Sequence, residues 1–190
     1  MKTTYRPSIL MRFNIATTVF CLALAILWAK AIGFRLPGSE TVLPIAIVAG
    51  VFLLAGLFYA LVRKDERVAQ SLLGLGLIQF FVPVSGVLSY LGATLRFPMQ
   101  DATFVAIDRA MGFDWLAMVH WAADKPRLVE WLGLLYDKPF FVLPFAIMLL
   151  LIVTNRGDRF EELVGFVIIS TVLSLAIGSC IPGISAFAYF

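Results

Sequence analysis

The sequence predicts an all-α integral membrane protein of about five transmembrane helices, with amphipathic helices lying along the membrane surface in the loop 94–131. Three observations lead there. Hydrophobic residues make up 61% of the 190 and charged residues 14%, at a mean hydropathy of +0.95, more apolar surface than one water-soluble core can hide. The apolar residues gather into uninterrupted runs of about twenty, the length that crosses a bilayer. Short clusters of Arg, Lys, Asp and Glu separate the runs, as loops separate spans. The formal charge of +3 is small and its basic residues are divided among several loops, which excludes a continuous nucleic-acid-binding patch.

The first span covers about 13–32, behind a leader carrying Lys2, Arg6 and Arg12. Its length favours a retained anchor over a cleaved signal peptide, although Ala29-Lys30-Ala31 has the small-x-small form of a cleavage site. The second, about 42–62, follows Pro37-Gly38 and Pro44 and stops at Arg63-Lys64-Asp65-Glu66-Arg67, five charges that hydrocarbon cannot hold. The third, about 68–91, contains Pro83 and Gly86, which predict a bend. Its Ser85, Ser89 and Ala93 predict a small packing face, and Gln70 and Gln79 are expected to face other helices.

From about 94 to 131 charges are mixed with apolar and aromatic residues, which reads as interfacial. Phe104, Ile107 and Met111 recur at steps of three and four while Asp101 and Asp108 share another face, and Trp115, Trp121 and Trp131 suit headgroup level. The fourth span, about 132–154, is interrupted in its first half by Asp137-Lys138-Pro139 and Pro144. The fifth, about 160–181, carries Ser170, Ser174 and Gly178 at every fourth residue, a stripe that predicts close helix packing. Cys21 and Cys180 lie inside apolar runs and read as small hydrophobes rather than a disulfide or metal site.

The leader, the loop at Arg63 to Arg67 and the turn with Arg156 and Arg159 together hold eight Lys or Arg; the loops between them hold six, Lys138 apart. The positive-inside rule then places the amino terminus in the cytoplasm and, with five spans, the carboxyl terminus outside.

No phosphate-cradling Gly-rich loop, metal-ligand spacing or nucleophile elbow occurs, so no catalytic residue, metal or cofactor is assigned. The chain has one histidine, His120, which between Val119 and Trp121 reads as a surface polar group of an interfacial helix. Asp137 and Lys138 carry charge close to membrane depth, where charge is expensive and is often used; the alternative is a headgroup boundary with Lys138 snorkelling. Arg96, Asp101, Asp108, Arg109, His120 and Lys138 are the candidate contacts to a phosphorylated headgroup. The competing reading of the α-helical ones is a solvated helix face.

Phe97-Pro98-Met99-Gln100-Asp101, continued by Asp108-Arg109-Ala110-Met111-Gly112-Phe113-Asp114-Trp115, then Leu134-Leu135-Tyr136 with Pro144, and finally Ile181-Pro182-Gly183, resemble a known family. The stretch 95–185 is similar to bacterial members of the type 2 phosphatidic acid phosphatase superfamily, in the branch of inositolphosphoceramide synthases. The resemblance implies a six-helix membrane fold, of which residues 1–190 form a single N-terminal portion. It implies hydrolysis or transfer of lipid phosphate esters at the outer face of the bacterial inner membrane, with membrane lipids and lipid phosphates as partners. It also implies a histidine nucleophile and a second, proton-donating histidine, carried by Pro-Ser-x-His and His-x-x-x-Asp motifs. A single histidine cannot fill both roles. The expectation is therefore a chain that is inactive alone, truncated before those motifs or completed by a downstream segment or second chain. The alternative is a small non-enzymatic membrane protein, an assembly factor or transporter subunit.

Overall fold

The computed structural model describes residues 7–35 and 39–183, except the side chains of residues 39, 41, 42 and 137–141. In these residues α1 (Ile9–Ile32), α2 (Ser39–Phe58), a π turn (Tyr59–Arg63), α3 (Glu66–Ala93), α4 (Asp101–Ala110), α5 (Trp115–Ala123), α6 (Pro126–Val153) and α7 (Gly157–Cys180) follow one another without a strand. Ile9–Ile32, Leu43–Arg63, Glu66–Ala93 and Gly157–Cys180 are long and apolar enough to cross a bilayer. Their outward faces keep Leu27, Leu54 and Phe166 about two-thirds exposed, at 67%, 70% and 69%. Contiguous apolar surface on that scale requires lipid rather than water around it. The protein is an all-α membrane protein.

Helix ends are set locally. Ser8 caps α1, its Oγ accepting from the Met11 N–H at 2.9 Å, and the chain leaves α1 through Gly33 at φ 66°, a left-handed turn that glycine adopts without strain. The charged run after α2 ends that helix in a π turn, with the Asp65 N–H donating to Tyr59 O at 3.0 Å, and Asp65 Oδ1 then caps α3 by accepting from the Val68 N–H at 3.2 Å. After α6 the N–H groups of Asn155 and Arg156 donate to Ile152 O and Leu151 O, at 3.2 and 2.9 Å, before α7 begins.

The chain divides into two compact units. One comprises Met1–Leu95 and Met148–Ser179, the other Arg96–Ile147 and Cys180–Phe190. In the first unit α2 runs antiparallel to α3, with Gly56 against Leu73 and Gly76 against Leu53. Glycines here let a leucine of the facing helix sit against backbone. A buried core of Met11, Cys21, Ala25, Leu77, Phe81, Leu88, Phe160, Val164 and Ile168 joins α1, α3 and α7. Gly74 receives the Phe160 ring and Gly92 receives Ser179, so α3 and α7 lie parallel and touch along their length.

Several expectations change. α1 begins at Ile9 rather than 13 because Ser8 supplies the cap. α3 is one continuous helix through Pro83, which leaves the bend expected there as an expectation, and Ser85 Oγ–H donates to Val82 O at 2.8 Å. α6 begins at Pro126 rather than 132 and is continuous to Val153. Pro at the first helical position gives up an N–H that would have had no partner there. The stripe Ser170, Ser174, Gly178 is not the packing face of α7: Ser174 and Gly178 are exposed and nothing lies within 4 Å of a Cβ built on Gly178. The buried face is Phe160, Glu161, Val164, Gly165 and Ile168, because large apolar residues recur there at helical spacing. Ser89 and Ala93 are likewise exposed, and Gly74, Gly76 and Gly92 make the close approaches of α3. In the expected span 132–154 the apolar stretch among described side chains is Val142–Val153.

Candidate functional site

The sequence motif Asp108 to Trp115 builds the connector between α4 and α5, in the second unit. Each of its residues has a local task. Gly112, at φ 78°, takes the left-handed position after α4. Its N–H donates to Arg109 O at 3.0 Å and the Phe113 N–H to Asp108 O at 2.8 Å, the paired bonds of a Schellman ending. Asp114 then starts α5, its Oδ1 accepting from the Ala117 N–H at 3.0 Å. The ending and the cap fold the motif over a cavity of about 110 Å³ that Asp108, Arg109, Phe113, Asp114 and Trp115 help to line. Two carboxylates, one guanidinium and two rings, whose centroids are 5.9 Å apart, therefore share one recess.

At the other end of α4 the Gln100 N–H donates to Pro182 O at 2.9 Å. Gly183 lies against the first turn, where a Cβ would stand 3.0 Å from Phe104 Cε2 and 3.3 Å from Asp101 Oδ1. Ile181-Pro182-Gly183 is thus seated on α4. Asp101 is only 7% exposed, which corrects its reading as part of a solvated face: the 181–183 segment covers it. Thr103 Oγ–H donates to Gln100 Oε1 at 3.3 Å.

Of the six candidate headgroup contacts, Asp108 and Arg109 are brought together at the recess. Arg96 is exposed, in a left-handed conformation at φ 52°, and Asp101 is buried at the opposite end of α4. His120 is exposed in the last turn of α5, with no described side chain on its imidazole. The side chains of Asp137 and Lys138 lie outside the described residues. Lys125 sits 4.0 Å from the centroid of the Trp121 ring and its Nζ donates to Trp121 O at 3.1 Å, so its charge is engaged within its own helix turn. Among the described residues no group of three or more His, Cys, Asp or Glu could hold a metal.

A second polar constellation, in the first unit, escaped the sequence reading. Glu161, 2% exposed, accepts from Ser8 Oγ–H and, at 2.8 Å, from Gln70 Nε2–H. Asn14 is fully buried beside it, with Nδ2 3.5 Å from Glu161 O. A legible signal existed: Glu161 shares the period of Val164, Gly165 and Ile168, whereas Glu162 does not.

Residues 102–189 match the PAP2 superfamily. The matched stretch begins within α4, takes in the connector and α5 to α7, and includes the segment seated on α4. It nearly coincides with the stretch 95–185 that carries the residue resemblance. No curated protein and no solved structure matches the chain. The PAP2-like region supports a function in lipid-phosphate chemistry in general.

Proposed function

We propose that this chain takes part in phosphoester hydrolysis or transfer on lipid phosphates, as the membrane scaffold and headgroup-facing part of an inositolphosphotransferase-like assembly rather than as a complete catalyst. The observation that carries the reading is the superfamily match over 102–189, on the region whose motif builds the recess of Asp108 and Arg109. In that recess the Arg109 guanidinium is the group suited to a phosphate, since it offers fork-shaped donors. The two-histidine reaction needs a nucleophilic imidazole and a separate proton donor. These 190 residues hold one imidazole, exposed and without a described orienting partner. A second chain or a further segment supplies the pair.

Placement in a bacterial plasma membrane, with the amino terminus in the cytoplasm, agrees with the clustering of basic residues. In the first unit the start of α1, the start of α3 and the turn before α7 meet at one end, through Ser8, Gln70 and Glu161. Arg12, Arg63, Lys64, Arg67, Arg156 and Arg159 are all near that end in sequence.

The test is turnover of phosphatidic acid by the purified chain in nanodiscs. Release of phosphate is expected to stay at background, unchanged in His120→Ala. Arg109→Ala is expected to lower retention of phosphatidic acid seen by native mass spectrometry. Turnover by the chain alone that vanishes in His120→Ala, or lipid-phosphate retention indifferent to Arg109, would overturn the proposal.

A further inference from the structure

The recess between α4 and α5 holds charges of both signs that stay apart. Asp108, Arg109 and Asp114 line one cavity of about 110 Å³, yet the guanidinium pairs with neither carboxylate; the ion pair formed among the described residues is Arg159 with Glu162, in the first unit. The separation is built in. Asp108 and Arg109 are neighbours on a helix, where adjacent side chains do not face each other, and Asp114 is held by its cap, Oδ1 accepting from the Ala117 N–H. The Asp108 carboxylate, the Arg109 guanidinium and Asp114 Oδ2 have no hydrogen bond to a described group. Both signs of charge are therefore open to a ligand.

The rest of the wall is aromatic and aliphatic. The rings of Phe113 and Trp115, inclined at 44° with centroids 5.9 Å apart, line the recess with Val105 and Leu116. A ring face attracts a cation and repels an anion. A phosphate alone would thus use Arg109 and meet two carboxylates and two ring faces besides. Two carboxylates against one guanidinium leave one negative charge in excess, and the ligand that balances it carries a positive group as well as the phosphate.

We propose that the recess takes a phosphodiester headgroup whose alcohol carries a primary ammonium, as in phosphatidylethanolamine, with the phosphate on Arg109 and the ammonium between Asp108, Asp114 and the ring faces. This rests on the reading of the recess as a headgroup site and names the class of headgroup. A primary ammonium has three N–H donors and no acceptor, the complement of carboxylate oxygens that only accept. A quaternary ammonium would have the charge without the donors, and phosphatidic acid would bring its second negative charge where the recess offers no second cation.

The experiment is native mass spectrometry of the full chain released from nanodiscs that contain equal amounts of phosphatidylethanolamine and phosphatidylglycerol with the same acyl chains. Both lipids are phosphodiesters, and the first alone bears an ammonium. Retention of phosphatidylethanolamine is expected to exceed that of phosphatidylglycerol by about tenfold, from two partly exposed charge pairs and one cation–ring contact. The double variant Asp108→Asn, Asp114→Asn is expected to bring the ratio to about one, and asparagine still caps α5. Phe113→Leu should lower the ratio about threefold, whereas Arg109→Ala should weaken both lipids alike and leave the ratio in place. A ratio near one in the native chain, a measurement that needs no variant to fold, overturns the inference, and so does a preference that survives the double variant. Retention of phosphatidylglycerol and phosphatidic acid through Arg109 with no preference for the ammonium lipid overturns this inference and leaves the headgroup site standing; indifference of every lipid to Arg109→Ala overturns both.

Discussion

Gly74 and Gly86 lie twelve residues apart on the same helix, and replacing each with alanine is expected to give opposite results. A Cβ on Gly74 collides with Phe160 Cε1 and stands 3.2 Å from both Phe160 Cζ and Val164 Cγ2, whereas a Cβ on Gly86 meets nothing within 4 Å. Phe160 is 1% and Val164 0% exposed, so neither can swing into open space. At both positions alanine gains about 0.5–1 kcal/mol by removing glycine's backbone freedom. At Gly74 the forced repacking of α3 against α7 costs about 1–3 kcal/mol. The net is a loss of about 1.3 kcal/mol for Gly74→Ala and a gain of about 0.7 kcal/mol for Gly86→Ala. For a chain of this size each kcal/mol moves Tm by about 2–4 °C. Thermal unfolding in detergent should therefore place Gly74→Ala about 3–5 °C below the native chain and Gly86→Ala about 2 °C above it. Equal Tm values for the two variants would refute the parallel α3–α7 contact on which the first unit is built.

Asp114→Ala removes the cap of α5 and should cost about 1 kcal/mol, read as faster hydrogen exchange of the first-turn amides of that helix. Gly112→Val places a β-branched residue at φ 78°, which costs about 1–2 kcal/mol and should loosen the α4–α5 connector in the same exchange experiment while leaving α1 to α3 unchanged. Arg67 Nη2 donates to Ile152 O and Val153 O, at 2.8 and 2.9 Å, and so satisfies carbonyls at the end of α6. Arg67→Ala should raise limited proteolysis at the turn 154–159 by about fivefold, corresponding to about 1 kcal/mol of local opening; unchanged cleavage would show that the two bonds hold nothing in place.

The helices were legible because lipid imposes a long, unbroken apolar run on each span, and a run of that kind survives any detail of packing. Which face of each helix turns inward was less legible. Ser170, Ser174 and Gly178 looked like a packing stripe because small residues at i, i+4, i+8 permit close approach, yet approach also needs a partner that fills the groove. Phe160 meeting Gly74 and Asn14 meeting Gly165 supply that fit, and such pairings join residues more than eighty positions apart. The turn chemistry of Asp108 to Trp115 could be read locally, since Gly112 and Asp114 stand where an ending and a cap belong. The motif's distinctive look thus owes much to connector geometry. Asp101 could not be placed, because what buries it is Gly183, far along the chain.

α1, α3 and α7 all begin at the end of the first unit marked by Glu161, and α3 and α7 meet again at the far end through Gly92 and Ser179. Two parallel helices consecutive in one membrane layer require the intervening chain to return across it. The connection from Ala93 to Gly157 contains α4 with 10 residues, α5 with 9 and α6 with 28. At 1.5 Å per residue the first two reach about 15 Å, half the hydrocarbon thickness, while α6 reaches about 42 Å, as α3 does. Arg67 holds the last carbonyls of α6 at the end where α7 begins, which is where a returning helix must finish. Among these connecting helices α6 alone has the length of a span, yet its apolar stretch among described side chains is Val142–Val153, so length and apolarity separate in α6 as they do not in α1, α3 and α7.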